Sequence, residues 1–431
     1  MNQIVESFLK QHRFLLDDAD FEKDTDELIR QMEAGCTTSP ASLQMIPSYI
    51  PDTSTTMASR QVIVIDAGGT NLRVSLVRIS ADGFETSYFK QYSMPGSRGL
   101  ITHEEFFLTL VSYLKPVIEE SDTIGFCFSY PAIIRSNQDG MILGFNKGVE
   151  ITGMKQVLLG KTLNQFLIQE GFEQKKITVL NDTVATLLGG KATYLNASFD
   201  SYIGFILGTG TNSCYIEANR LLTKDAYLLS QPGYSIINLE SGGYQGFPLS
   251  DFDEEVQNLS DAPETQHMEK MISGAYQGAL ALSILKAAAK EHILPDTCRQ
   301  KVLALQTLEA KDVSQFLLHP GSVSGVLGAL REGIDQEAED ILYELLKAIS
   351  KRTAYLCAVN MKAIVKKRDI GRHPSRPTGI SIEGSTFYQA AYIKEELQYY
   401  LKQFLETDGY YVQLIQAEQA TIYGSAIAAI S

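Results

Sequence analysis

Short unbroken apolar runs alternate along the chain with longer stretches whose apolar residues recur at helical spacing. VIVI at 62–65, within a strand from about Gln61 to Asp66, is followed by an apolar stretch from Asn71 to Ile79 and a third run at 84–91. IGFCF at 124–128 and ITVL at 177–180 read as further buried strands. Between them, helical periodicity predicts helices over about 103–120 and 153–169, and a short helix opens at TVATLLGG directly after Asp182. The strand pattern restarts at 202–217. Helices are then expected over 265–291, 300–309, 311–317, 321–328 and 335–368. GISIEGS at 379–385 is another strand and glycine turn, followed by an amphipathic segment 387–405, a strand 410–416 and an Ala-rich helix 420–430. Residues 1–35 read as charged helix, and Gly35–Ser59, rich in Ser, Thr and Pro, as a linker or wrapping loop. Strands and helices alternate in both halves, which predicts two α/β lobes.

One pattern occurs twice. VIVIDAGGTNLRVSLV at 62–77 and YIGFILGTGTNSCYIE at 202–217 both run from apolar strand through a glycine turn and Thr-Asn into a second apolar strand. The repeat predicts one duplicated element, each copy presenting a hairpin turn to a shared cleft. Gly68, Gly69 and Gly210 would let backbone approach an anion, and the hydroxyls of Thr70, Thr209 and Thr211 could add donors.

Composition narrows the class. The 431 residues are 44 % hydrophobic, enough for large cores and against disorder. The formal charge of −14 disfavours nonspecific binding to nucleic acid or an anionic membrane and leaves room for a local phosphate site. Five scattered cysteines without a CxxC fit a reducing compartment, and with no secretory start and no long apolar span a soluble cytoplasmic protein is the expectation.

Two carboxylates stand out by position. Asp66 ends a strand beside the first glycine turn, where it could hold Mg²⁺ through water or simply cap the turn. Asp182, next to Asn181 between a strand end and a helix start, could take the proton of a substrate hydroxyl or act as a helix cap. SYP at 129–131, GFNKG at 144–148 and INLESGG at 237–243 supply hydroxyl, amide, amino and carboxylate groups suited to a small polyhydroxylated ligand. GxxxxGK[ST], GxSxG, HExxH and GxGxxG are absent, which removes the usual support for P-loop, hydrolase and dehydrogenase readings.

Together, DAGGTNLRV, GFCFSYP, GFNKG, LNDTVATLL, LGTGTNSCYIE and INLESGG resemble the hexokinase and glucokinase family over most of residues 61–431, with EKMISGAYQG and LEAKDVSQF similar to its helical segments. The resemblance implies a duplicated ribonuclease-H-like (actin-like ATPase) fold, two lobes around a central cleft, and ATP- and Mg²⁺-dependent phosphorylation of the 6-hydroxyl of a hexose in glycolysis, glucose first. It implies Asp182 as general base and Ser129, Asn146, Lys147, Asn181, Asn212 and Glu240 as sugar ligands. Asp66 would position the metal through water, with Gly68, Gly69, Thr70, Asn71 and Arg73 at the ATP phosphates. Gly208, Thr209 and Gly210 would face them from the other lobe, and Gly384 and Ser385 would lie on the adenosine side.

The chain departs from the family pattern at Ala279, where a sugar-binding Glu is expected, at Ser241 in place of a Trp, at Glu383 and Tyr388 in place of Asp and Lys, and in the loose match of AEQATIYGSAIAA near the end. A kinase preferring mannose, fructose or an amino sugar is the alternative these changes raise; a catalytically weak sugar-binding regulator is another. The expected organisation is an N-terminal helical segment and linker, 1–59, packing with the large lobe. A small lobe, 60–182, a large lobe, 183–412, and a C-terminal helix, 413–431, returning to the small lobe complete it, in a monomer or homodimer.

Overall fold

The computed structural model describes the chain apart from Met1, Pro40, residues 53–58, Thr70, Asp82, Asn146, Lys147, Leu195, Asn196 and the side chain of Ala19. Two sheets dominate it, and each apolar run of the sequence falls within one or the other. The first contains strands Arg60–Ala67, Asn71–Ser80, Gly83–Ser93, Thr123–Phe128 and Lys176–Leu180. Numbered by position in the chain, their spatial order is third, second, first, fourth, fifth, with the first three antiparallel and the last two parallel to the first. Ser201–Leu207, Thr211–Ala218, Tyr234–Asn238, Thr378–Glu383 and Val412–Ile415 form the second sheet in the same order and with the same directions. The duplication visible in two glycine turns therefore extends through both sheets.

After its fifth strand each sheet releases a helix that packs against the other. Asp182–Thr193 leaves the first sheet and lies on Ser201–Leu207 and Thr378–Glu383 of the second, whereas Ala420–Ile430 leaves the second and lies on Thr123–Phe128 and Arg60–Ala67 of the first. These two helices cross at Gly424, where a Cβ would lie 1.9 Å from the Ala185 carbonyl oxygen, so only a glycine permits the approach. The crossing fixes Asn181 and Asp182 at the seam between the lobes.

Several sequence expectations change: Tyr234–Asn238 is a strand where none was expected, and the helices expected over 103–120 and 153–169 are His103–Leu114 and Leu159–Gln169. Gly35–Ser59 is not wholly a loop: helix Phe21–Thr37 runs through its start, and Ile46–Pro51 forms a strand antiparallel to Tyr234–Asn238 on the edge of the second sheet. Its Ser and Pro content hid a buried segment in which Ile50 is fully enclosed. The single helix expected over 265–291 is two, His267–Ile272 and Gly274–Lys290, divided at Ser273, which is extended at ψ 155°. The break turns Glu269 and the Gly274 amide towards the second glycine turn. Helix Gln336–Arg368 passes through two apolar clusters, and its Arg352 forms a bidentate pair with Asp253 at 2.6 and 2.9 Å, both side chains buried. Burying one member alone would leave an uncompensated charge, so the pair fixes the helix against Asp251–Asn258.

Candidate active site

The first glycine turn joins Arg60–Ala67 to Asn71–Ser80, whose register sets Asp66 directly opposite Arg73. Arg73 Nη1 donates to Asp66 Oδ2 at 3.0 Å, and the Thr421 hydroxyl of the last helix reaches the same oxygen at 3.2 Å. Asp66 is only 4 % exposed, and burial pushes its carboxyl above the usual range; Arg73 opposes that shift and Asp182 adds to it. Glu383, at the end of a strand of the other sheet, is likewise raised by burial and feels both Asp66 and Arg73. Asp66 and Glu383 thus share one guanidinium across the cleft while Asp182 also acts on Asp66, a negative excess that a divalent cation would offset. Among the described residues no set of three or more His, Cys, Asp and Glu is arranged to hold a metal, so a Mg²⁺ here would depend on Asp66 with water and phosphate oxygens.

Asn181 caps helix Asp182–Thr193, its Oδ1 accepting from Thr183 N at 2.8 Å. The capping role that competed for Asp182 in the sequence thus falls to its neighbour. The Asp182 carboxylate accepts from the Thr183 hydroxyl at 3.3 Å and lies close enough to act electrostatically on Asp66 in one lobe and Glu240 in the other.

On the second sheet Asn212, Asn238 and Glu240 form one network. Asn212 Nδ2 donates to Asn238 Oδ1 at 2.7 Å and to Glu240 Oε1 at 3.3 Å, and Asn238 Nδ2 donates to Glu240 Oε1 at 2.6 Å. Glu240 sits in the left-handed region at φ 57°, a conformation that costs a non-glycine residue energy and is maintained here by the surrounding bonds. Burial pushes its carboxyl above 4.5, against the amides of Asn238 and Asn212, and Asp182 and Glu269 push further in the same direction. Asn181, Asn238 and Glu240 line a cavity with Ser48, Phe128 and Tyr130, so the edge strand and the SYP loop close one side of the same space.

The second glycine turn is held from several directions. Gly208 O accepts from Gly274 N at 2.9 Å and from the Thr386 hydroxyl at 2.8 Å, Thr209 O accepts from Ala275 N at 3.3 Å, and Thr211 N donates to Glu269 Oε2 at 3.0 Å. Beyond it Thr209, Ala275, Lys311, Ser314, Ser385 and Thr386 line a cavity of about 410 Å³, open enough for a nucleoside. Gly384, at φ 121°, turns the chain from Thr378–Glu383 into this cavity.

Ser129, Asn181, Asp182, Asn212 and Glu240, with Asp66, Gly68, Gly69, Asn71, Arg73 and the 208–210 turn, therefore lie on strand ends and turns around the seam of the lobes, and Gly384 and Ser385 border the cavity behind. Thr70, Asn146 and Lys147 lie outside the described residues. Glu269, Asn238, Tyr130 and Thr421 were not singled out from the sequence. Glu269 stands in EKMISG, and its position before a glycine that meets the second turn was the available signal. Ala279 is exposed on helix Gly274–Lys290, and Glu269, ten residues earlier, brings a carboxylate close enough to act on Glu240. Tyr388, the other departure, donates its hydroxyl to Ile382 O at 3.0 Å and braces the turn at Gly384.

Hexokinase family models match residues 5–192 and 202–431. Hexokinase-1 of Schizosaccharomyces pombe is 27 % identical, over 94 % of this chain and 86 % of its own length. Hexokinase-4, chloroplastic, of Oryza sativa subsp. japonica is 32 % identical, over 84 % of this chain and 75 % of its own. The solved hexokinase from Schistosoma mansoni complexed with glucose superposes with a TM-score of 0.81 at 22 % identity, covering 100 % of this chain and 99 % of that one, and so shares its two-lobed α/β fold.

Proposed function

The chain belongs to the hexokinase family and is a hexokinase, an enzyme that phosphorylates a hexose with ATP; on that premise we propose that it transfers the γ-phosphoryl group to the 6-hydroxyl of glucose, with Asp182 as general base. The observation that carries this reading is the position of Asp182, between the Asp66–Arg73 pair of one lobe and the Asn212–Asn238–Glu240 network of the other.

Glu240, with Asn181, Asn212, Asn238, Ser129 and Glu269, and with Asn146 and Lys147, presents acceptors and donors to the sugar hydroxyls, and orients the 6-hydroxyl towards Asp182. The sugar oxygen forms a bond to the γ-phosphorus as the bond to the β,γ-bridging oxygen breaks; ADP leaves, and the hydroxyl proton passes to the Asp182 carboxylate. Gly68, Gly69, Thr70, Asn71 and Arg73 face the phosphates from one side and the 208–210 turn from the other, so that charge on the transferring group meets fixed donors. The adenosine occupies the cavity of Thr209, Lys311, Ser314 and Ser385. A bound Mg²⁺, oriented by Asp66 through water, would neutralise phosphate charge. Closure of the lobes around the sugar would exclude water as a competing acceptor.

We also place the enzyme in the cytoplasm, in glycolysis, as a monomer or homodimer without nucleic-acid or membrane partners. Its five cysteines are free and buried, and among the described residues no helix is long and apolar enough to cross a membrane. The testing experiment is ADP release with ATP and Mg²⁺ and, separately, glucose, mannose, fructose, glucosamine or N-acetylglucosamine, with the sugar phosphate identified. Glucose 6-phosphate at the highest kcat/KM is expected. A preference for another hexose would overturn the glucose assignment, and a product phosphorylated elsewhere would remove Asp182 from beside the 6-hydroxyl.

A further inference from the structure

The SYP loop contributes more than its serine. Tyr130 is 3 % exposed, its ring packed on Phe128 and Phe145 at centroid distances of 5.2 and 5.0 Å, and its hydroxyl lies 2.8 Å from Gly68 O and 2.6 Å from Gly69 O. Both carbonyls belong to the first glycine turn, so one side chain holds two successive peptide groups, its single proton shared between them. In a planar trans peptide the C=O and the N–H point in opposite directions. Drawing Gly68 O towards the tyrosine therefore turns the Gly69 N–H to the side opposite the Tyr130 hydroxyl. The residue before Tyr130 completes the link, since Ser129 N donates to Ala67 O at 3.1 Å. Two adjacent residues of the sugar-side loop thus hold both the strand end and the turn that follows it.

We propose that Tyr130 is a positioning residue for the phosphate donors, aiming the first glycine turn at the nucleotide and making ATP affinity respond to occupancy of the neighbouring sugar site. The proposal rests on the reading of that turn as a phosphate site. The Tyr130 hydroxyl acts on the nucleotide through the Gly68 and Gly69 carbonyls, and the sugar reaches it through the cavity that its ring lines and through Ser129. Without the hydroxyl those peptide groups could rotate to bond water, and the Gly69 amide would point at phosphate for only part of the time.

Tyr130→Phe removes the oxygen and keeps the ring between Phe128 and Phe145. With glucose and a non-hydrolysable ATP analogue as probes, calorimetry on the full chain should show analogue affinity about 3- to 10-fold weaker, the scale of one hydrogen bond. Glucose affinity should stay within twofold, and the gain in analogue affinity produced by saturating glucose should shrink. In turnover, KM for ATP should rise more than kcat falls. Unchanged analogue affinity would overturn the proposal. So would a parallel loss of glucose and analogue binding with a lower Tm, which would mark the hydroxyl as general support for the fold. Gly68→Ala separates this from the site reading. If it weakens the analogue while Tyr130→Phe does not, the phosphate site stands and the role of Tyr130 falls; if neither does, the phosphate reading itself is wrong.

Discussion

The two glycine turns, nearly alike in sequence, are maintained in different ways. In the first, a Cβ added at Gly68 would meet nothing nearer than the Asn71 carbonyl oxygen at 3.7 Å among the described residues, and the Tyr130 side chain holds the turn. In the second, a Cβ at Gly210 would lie 2.5 Å from Glu269 Oε2, and the chain on either side is tied to Gly274, Ala275, Thr386 and Glu269. Among the described residues, packing does not require the space at Gly68. At Gly210 an added carbon would displace the Glu269 carboxylate from the Thr211 amide that it accepts from. The same local motif is therefore open on one lobe and buttressed on the other, a difference that under the proposed function makes the first turn the phosphate cradle and the second a wall between sugar and nucleotide.

Changes at the two turns should accordingly differ in size and in kind. Gly210→Ala is expected to have the largest effect, displacing Glu269 and the Thr211 amide together. Hexose affinity and kcat/KM should fall at least 100-fold and Tm should drop, as read by calorimetry and thermal unfolding; a variant with parental sugar binding would refute the buttressed-wall account. Next comes pH. Glu240 must be ionised to accept from sugar hydroxyls, and burial holds its carboxyl above 4.5, so glucose affinity should weaken as pH falls through an inflection above that value. The sign for stability is opposite: a raised carboxyl contributes stability in the unliganded protein that is present below its unfolded pKa and lost as pH rises through the folded one. The Tm increase produced by glucose should therefore grow as pH rises from 4.5 through that inflection. Gly68→Ala should raise KM for ATP about 3- to 10-fold with Tm and glucose affinity unchanged, because the added methyl meets ligand and not protein. Smallest is Thr386→Val, which removes one bond to Gly208 O. It should cost about 1 kcal/mol in thermal or denaturant unfolding and less than threefold in KM for ATP, since the Gly274 amide still holds the same oxygen.

This contrast was not legible in the sequence, and the reason is specific. Apolar runs mark strands because a buried strand must be apolar, and the glycine turns mark hairpins because glycine relieves a local clash. Both signals are short-range, and they recovered the strands of the first sheet, four strands of the second, the last helix and Asp66, Asn181 and Asp182 at the ends of their elements, but not the strand Tyr234–Asn238. What buttresses the second turn comes from Glu269, Gly274 and Thr386, all more than fifty residues away, and only the folded chain sets them beside it. The strand Ile46–Pro51 was hidden for another reason: an edge strand tolerates the Pro and Ser residues that signal a loop. At Ala279 the sequence pattern drew attention to a missing carboxylate, whereas the folded chain places the Glu269 carboxylate where it acts on Glu240.

The central claim is that the two lobes meet at a single proton acceptor, Asp182. Its direct test is Asp182→Asn, which keeps the size of the side chain and a carbonyl oxygen for the Thr183 hydroxyl while abolishing basicity. Single-turnover phosphorylation of glucose, measured beside the calorimetric affinity for glucose, should show a rate lower by about 10²–10⁴, the range for a lost general base, with glucose affinity within a few-fold of the parent. A rate within tenfold of the parent, in a variant that binds glucose normally, would contradict the account and assign the proton to another group.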